Sequence, residues 1–248
     1  MPEPESAPSK PVTKRVRPEI TRLPALTPWR RAARWFLVRL VRLMVRLLTR
    51  VQVSGTENTP QQGPVLVVSN HLGDADLVLG LAFSARPLDA LTKADLYDIP
   101  VLGWLMEIYG VIWVHRGQPD RRALRAVLQG LAEGRMIAIA PEGRESVTGQ
   151  LEEGTHGAAY LALKSGAPIL PVTFIGTENR LVYNNVKRLR RAKISLTVGK
   201  PFHLQPGDDW RRAVVQGTEQ IMLTLAGQLP PEYRGVYLTE PVDVEVKK

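Results

Sequence analysis

An imidazole takes a proton from a hydroxyl near neutral pH most effectively when a partner holds its other nitrogen and fixes the tautomer, and a carboxylate is suited to that task. The stretch Ser69-Asn70-His71-Leu72-Gly73-Asp74-Ala75-Asp76 carries both groups. On a regular helix a spacing of five sets two side chains about 140° apart around the axis, too far to touch. A bend must close the gap. Gly73 can supply the unusual backbone angles for it, and Asp74 can cap a helix running through Leu77, Leu79 and Leu81. Asp76 would then hold one nitrogen of His71 and leave the other for a hydroxyl proton. A plainer arrangement competes, in which His71 ends a strand and Asp76 sits in a first helical turn, where the dipole favours acids.

The elements that must position these residues are written in the hydrophobic pattern. The β-branched run 65–68 reads as a buried strand delivering the histidine to a loop. Further strands are predicted at 51–53, at 88–92 ending on Lys93, at 111–114 ending on His115-Arg116-Gly117, and at 194–198. Another, at 136–140, leads into the loop Pro141-Glu142-Gly143-Arg144-Glu145-Ser146. Helical spacing marks 104–109, 120–133, 157–165 and 208–229, with Gly134 and Gly166 as stops. Pro168 and Pro171 predict that the strand at 168–174 is short or near an edge. On their own, Lys93 and Arg116 read as solvated charges at strand ends, and 187–193 as a solvated basic run. Strands alternating with helices predict a single α/β domain over 51–229, with a mixed, mostly parallel central sheet flanked by helices.

Charge and composition narrow the chemistry. The chain has 248 residues and no cysteine, so neither a disulfide framework nor a thiolate nucleophile is available. Its four histidines show no H-E-x-x-H pattern, and no metal site is expected. The formal charge is +9, and residues 1–50 carry all of it; the other 198 residues hold 21 charges of each sign. That distribution argues against a nucleic-acid groove. Residues 1–27 read as a disordered basic arm without signal-peptide order. From 28 to 50 the chain reads as an amphipathic helix, capped by Thr27, with Arg31, Arg34, Arg39, Arg42, Arg46 and Arg50 on one half of the wheel and Trp, Phe, Leu, Val and Met on the rest. No uncharged run here approaches the roughly 20 residues that a spanning helix needs. An N-terminal helix lying on a membrane surface is the expectation, with packing of that helix on the domain as the competing one. Residues 230–248 form a C-terminal tail.

Four loop stretches, in order, resemble the lysophosphatidic acid acyltransferase (glycerolipid acyltransferase) family over about residues 52–205. They are N-H-x-x-x-x-D at Asn70, His71 and Asp76; the region from Lys93 through Gly103-Trp104-Leu105-Met106 to Val114-His115-Arg116-Gly117; P-E-G at Pro141, Glu142 and Gly143; and the proline strand with Pro171. The resemblance implies transfer of an acyl chain from a thioester to a glycerol hydroxyl, with His71 as general base and Asp76 orienting it. It also implies direct transfer without a cofactor, acyl-CoA or acyl carrier protein being the co-substrate. By the same resemblance Asn70, Lys93, Arg116, Glu142, Gly143 and Arg144 bind substrate: the cations the acceptor's phosphate, Glu142 organising the acceptor-side loop, the Gly143 turn offering N–H groups to the oxyanion. A lysophospholipid acceptor, foremost 1-acylglycerol-3-phosphate, places the protein peripherally on the cytoplasmic face of the cell membrane.

One departure bears on the acceptor. The family's third motif usually runs P-E-G-T-R-S, whereas here Arg144 comes one place early and Glu145 stands in the usual arginine position. A glutamate facing a phosphate is repulsive. An ammonium-bearing lysolipid would suit Glu145; the alternative acceptors are another lysophospholipid, an acylated saccharide or an ornithine lipid, and a further alternative is a membrane protein that holds lipid without turning it over. His156 is expected to be a surface or structural histidine.

Overall fold

The computed structural model describes residues 17–115 and 120–238. Seven strands form one sheet in the order β1(Thr49–Ser54), β7(Ala192–Val198), β6(Ile169–Ile175), β2(Val65–Ser69), β5(Met136–Ile139), β3(Leu88–Lys93), β4(Ile112–Val114). β6, β2, β5, β3 and β4 are mutually parallel, β7 is antiparallel to β6, and β1 is parallel to β7. The expectation of a mixed, mostly parallel sheet is met, and helices cover both faces. In β2, Leu66 and Val68 point into one core with α4(Arg121–Ala132), α5(Gly157–Ser165) and α7(Trp210–Gln228). Val65 and Val67 point into the other, with α1(Pro28–Leu48) and α2(Ala75–Phe83). Strands buried on both faces read as continuous apolar runs, which is why 65–68 was legible. A third, smaller cluster joins Ile20, Tyr109 and Trp113 beside α3(Leu102–Tyr109).

Several expectations are corrected. The proline strand lies in the interior of the sheet, between β7 and β2. Pro171 is tolerated because it sits where the β7 ladder ends: pairing starts at Val172 with Val198, and the Pro171 carbonyl accepts from the Gly199 N–H at 2.8 Å. Residues 17–27 pack on the domain, with Ile20 and Thr21 buried; residues 1–16 lie outside the described residues. The helix ends at Leu48, so Arg50 belongs to β1. An unforeseen α6(Asn179–Lys187) precedes β7. The first residues of the tail, to Leu238, fold back in two 3-10 turns, and the Tyr233 carbonyl accepts from the Leu151 N–H.

The N-terminal helix divides its side chains differently from a simple basic and apolar split. Thr27 caps it, its hydroxyl accepting from the Arg30 N–H at 3.2 Å. Leu37, Val38, Val41 and Val45 pack inward, and Arg34 is buried with them. Arg42 also turns inward, its Nε donating to the Ala82 carbonyl at 2.6 Å. Trp29, Phe36, Leu40, Leu43 and Leu47 are left on the outer side, bordered by the exposed Arg31, Arg39 and Arg46. Thus the helix is packed on the domain and still presents a second apolar face. No helix among the described residues is long and apolar enough to cross a membrane.

Candidate active site

Because five strands run parallel, their C-terminal ends share one edge, the usual place for a ligand crevice in an open α/β sheet. Asn70 and His71 follow β2, Lys93 ends β3, His115 follows β4, Pro141 and Glu142 follow β5, and Thr177 and Glu178 follow β6. The three principal motifs are therefore brought to one edge by topology.

At its centre His71 Nδ1 lies 2.9 Å from Asp76 Oδ2, and the same oxygen accepts from the Leu72 and Gly73 N–H groups at 2.7 and 3.0 Å. Asp76 is buried and stands in the first turn of α2, closed by its own N–H onto the Gly73 carbonyl. The carboxylate thus organises the loop that carries the histidine as well as its ring. Nδ1 is engaged, and Nε2 is the nitrogen on the far side of the ring. Gly73 serves through close approach and not through a positive φ: a Cβ there would stand 2.6 Å from the Thr177 carbonyl oxygen and 2.7 Å from Asn179 Oδ1. Asp74 makes no side-chain cap bond on α2; it accepts from the Tyr183 hydroxyl at 2.8 Å.

Asn70 is placed differently from the expectation that it binds substrate. Its amide is buried and spent at both ends on Phe174, donating to the carbonyl at 2.9 Å and accepting from the N–H at 2.8 Å. It extends the β2–β6 pairing by one side-chain rung and fixes where the histidine loop begins. Glu142 plays a matching part from β5. Oε1 accepts from the His71 N–H at 3.1 Å and Oε2 from the Glu152 N–H at 2.9 Å, while the Ser146 N–H donates to the His71 carbonyl at 2.7 Å. The P-E-G loop and the histidine loop are one hydrogen-bonded unit.

Burial pushes the Glu142 carboxyl up to about 7, against the pull of its two N–H donors, from 4.5 for a free side chain. The folded state therefore retains a proton that the unfolded chain has released. The stabilisation is fully present below about pH 4.5 and lost as pH rises through about 7. Glu142→Gln should flatten this part of the stability curve while lowering stability overall, as measured by urea midpoints across that window. An unchanged slope would assign the titration elsewhere.

The cations expected to bind the acceptor's phosphate are less free than their types suggest. Lys93 Nζ is 3.1 Å from Asp95, and Arg144 is exposed and holds Glu152 at 2.6 Å. Surface pairs of this kind are worth little, so a bound anion can compete for either side chain. Arg116 lies outside the described residues. Gly143 adopts φ +74°, which completes the tight turn, and its N–H donates to the Ala140 carbonyl at 3.0 Å, so that group is committed to the turn and not open to an oxyanion. Glu145 turns toward α6, where Asn179 Nδ2 donates to it at 2.8 Å, and Asn179 Oδ1 accepts from the Asp74 N–H at 3.0 Å. Asn179 thereby ties the two loops from a helix the sequence did not announce. The hydrogen bond to Asp74, together with burial and the Asp74 and Glu145 charges, raises the Tyr183 hydroxyl above its usual range.

A second histidine and aspartate five apart were not singled out. His115 Nδ1 is 3.2 Å from Asp120 Oδ2, and its Nε2 accepts from the Arg17 N–H at 3.1 Å. With both nitrogens engaged it anchors residues 17–21. His156 Nδ1 lies 3.2 Å from the Thr218 hydroxyl, as a structural histidine would.

Comparisons with known proteins agree with this architecture. A lyso-ornithine lipid O-acyltransferase of Pseudomonas aeruginosa is 32% identical over 230 residues, 85% of each chain. The chloroplastic 1-acyl-sn-glycerol-3-phosphate acyltransferase of Arabidopsis thaliana is 26% identical over 73% of this chain, and the enzyme of that name from Borreliella burgdorferi 33% identical over 54%. The chain spans about half the length of these last two relatives (52% and 55%). The crystal structure of the 1-acyl-sn-glycerophosphate acyltransferase PlsC from Thermotoga maritima shares the fold, with a TM-score of 0.62 over 82% of this chain and 84% of that one at 24% identity. A family model described as Acyltransferase matches residues 50–175, from β1 through β6, and so takes in the His71 loop, the Glu142 loop and the edge they share: the chain belongs to the acyltransferase family.

Proposed function

We propose that this protein transfers a fatty acyl group from acyl-CoA or acyl carrier protein to the free hydroxyl of a lysolipid, foremost 1-acylglycerol-3-phosphate, which would yield phosphatidic acid. The observation that carries this reading is the buried Asp76 oxygen shared between His71 Nδ1 and two loop N–H groups. His71 Nε2 accepts the hydroxyl proton as the oxygen attacks the thioester carbonyl. The tetrahedral intermediate collapses with expulsion of the thiolate, and the imidazolium returns its proton to the leaving sulfur. Asp76 stabilises the imidazolium, no acyl-enzyme forms, and Glu142 keeps the two loops in register. Lys93, Arg116 and Arg144 meet the phosphate, and α1 sits on the cytoplasmic lipid surface through its outer apolar face and bordering arginines.

A second acceptor is favoured by a specific observation. Glu145 occupies the position at which an arginine is usual, and Asn179 brings it into one network with Asp74. An ammonium-bearing headgroup would be attracted there and a phosphate repelled, and the relative matched over most of its length is named for lyso-ornithine lipid. The test is acyl transfer in mixed micelles, with labelled acyl-CoA and acyl carrier protein offered against lysophosphatidic acid, other lysophospholipids and lyso-ornithine lipid. With phosphate as the acceptor's headgroup, Glu145→Arg should raise kcat/KM severalfold. With an ammonium headgroup the same change should lower it by about tenfold, the cost of turning one attractive contact repulsive. Absence of product from every donor and acceptor pair would leave the lipid-holding alternative in its place.

A further inference from the structure

Between β3 and α3 the backbone makes a turn of a rare kind. The Leu102 N–H donates to the Pro100 carbonyl at 2.7 Å across Val101, whose φ of 64° and ψ of −53° lie close to the strained γ-turn. A β-branched residue in that region is an outlier and is strained. The close approach of Gly103 to the Tyr97 carbonyl holds it there, since a Cβ on Gly103 would stand 2.2 Å from that oxygen. What the strain achieves is exposure. Val101 is 68% and Trp104 64% solvent-accessible, with Ile99 and Leu102 beside them also exposed. Four large apolar side chains within six residues are uncommon on a soluble surface.

Position and charge say what covers them. The segment follows Lys93 at the end of β3, hence at the His71 edge, and it leads into α3, which packs against α1. On the other flank, β1 is antiparallel to β2, so the C-terminal end of α1 with Leu47 and Leu48 arrives at that same edge. The nearby acids are neutralised, Asp98 by Arg17 at 2.6 Å and Asp95 by Lys93 at 3.1 Å. The exposed Arg31, Arg39 and Arg46 border the α1 face, Arg39 stacked 3.6 Å above the Trp35 ring. Apolar residues at the level of a cationic rim match an anionic bilayer, with acyl chains below and headgroups above.

We propose that residues 99–104 are a second lipid-inserting element, which with the outer face of α1 straddles the His71 edge and seats it on an anionic bilayer. This rests on the reading of α1 as an interfacial helix. Two contacts either side of the edge fix its tilt, which one helix cannot do, and deliver a bilayer-borne hydroxyl between them.

The absence of cysteine makes the test direct. Single-cysteine forms Trp104→Cys, Leu43→Cys and Leu223→Cys are labelled with an environment-sensitive fluorophore and mixed with vesicles of phosphatidylglycerol and phosphatidylcholine, with and without brominated chains. Leu223 is exposed on α7, across the sheet from α1. Labels at 104 and 43 should shift to the blue and be quenched by bromine, and that at 223 should not. In the otherwise unmodified chain, Trp104→Asp should weaken vesicle partitioning about tenfold. A label at 43 that responds while that at 104 stays in water overturns the proposal and leaves the α1 reading intact. Silence at both positions, in protein that still turns over micellar acceptor, overturns the proposal and the α1 reading together.

Discussion

His71→Ala should lower kcat by a hundredfold to ten-thousandfold, the range that general-base assistance contributes, while the fold is retained. The side chain is partly exposed at a loop, and the bonds that hold the loop are made by the His71 backbone: its N–H to Glu142 and its carbonyl from Ser146. Deleting the imidazole leaves those in place, so the thermal midpoint should barely move. The residual rate would come from positioning the thioester and the hydroxyl together. Asp76→Asn is the informative companion. One Asp76 oxygen serves the ring and two N–H groups. A carboxamide oxygen in the place of that Oδ2 keeps the ring and both N–H groups, puts its NH2 in the buried, unpartnered position of Oδ1, and removes only the charge that stabilises the imidazolium. Its loss of kcat should therefore be smaller than that of His71→Ala, with an intact loop. A His71→Ala enzyme with near wild-type kcat would remove the base from this mechanism.

How much of this was legible follows from the range of the interactions. The His71 and Asp76 pairing could be anticipated because it is local: five residues, a glycine and a helix start leave few ways to bring the groups together. Strands β2 and β5 declared themselves through continuous apolar runs. Asn70 could not be read correctly, because an amide next to a reactive histidine looks like a ligand until Phe174, 104 residues on, takes both its ends. Glu142 was visible as part of the second loop, but its bond to the His71 N–H spans 71 residues and exists only once β5 has paired with β2. The proline strand was misplaced since a missing N–H argues for an edge unless the neighbouring strand ends at that point, and only the β7 register reveals that it does. Helix α6 is only nine residues long, with Asn184 and Asn185 within it and no fully buried residue, so the spacing of Val182 and Val186 is too short a pattern to announce a helix. The arginines of α1 were the subtlest case. Sequence puts them on one side of the helix, but which of them face protein depends on where buried acceptors and an acid occur elsewhere.

That acid is Asp89, and its removal should produce the largest loss of stability in the molecule outside the apolar core. Arg34 and Asp89 form an ion pair in which both side chains are almost fully buried. Arg34 Nε also donates to the Tyr109 carbonyl at 2.6 Å and Nη2 to the Gly110 carbonyl at 2.8 Å, with the guanidinium 4.7 Å above the Tyr109 ring. Arg135 approaches the other Asp89 oxygen at 3.5 Å. Asp89→Ala leaves Arg34 buried without a counter-charge and should cost about 3–5 kcal/mol, read as a lower urea midpoint. Arg34→Ala should cost less, because Asp89 keeps Arg135. The pair Arg34→Met with Asp89→Leu, which removes both charges and fills the space, should recover part of the Asp89→Ala loss, the non-additivity being the signature of direct coupling. Losses that simply add would show that the two side chains act independently. The functional consequence follows from what the pair joins. It pins the first half of α1 to the start of β3, and the outer face of that helix is the proposed lipid contact. A helix released by Asp89→Ala keeps its apolar face and its exposed arginines, so vesicle binding should persist. Turnover of bilayer-borne acceptor should fall much further than turnover of dispersed short-chain acceptor, because the His71 edge is no longer held at a fixed height above the lipid. Equal loss on both acceptors would mean that the pair stabilises the domain without positioning it.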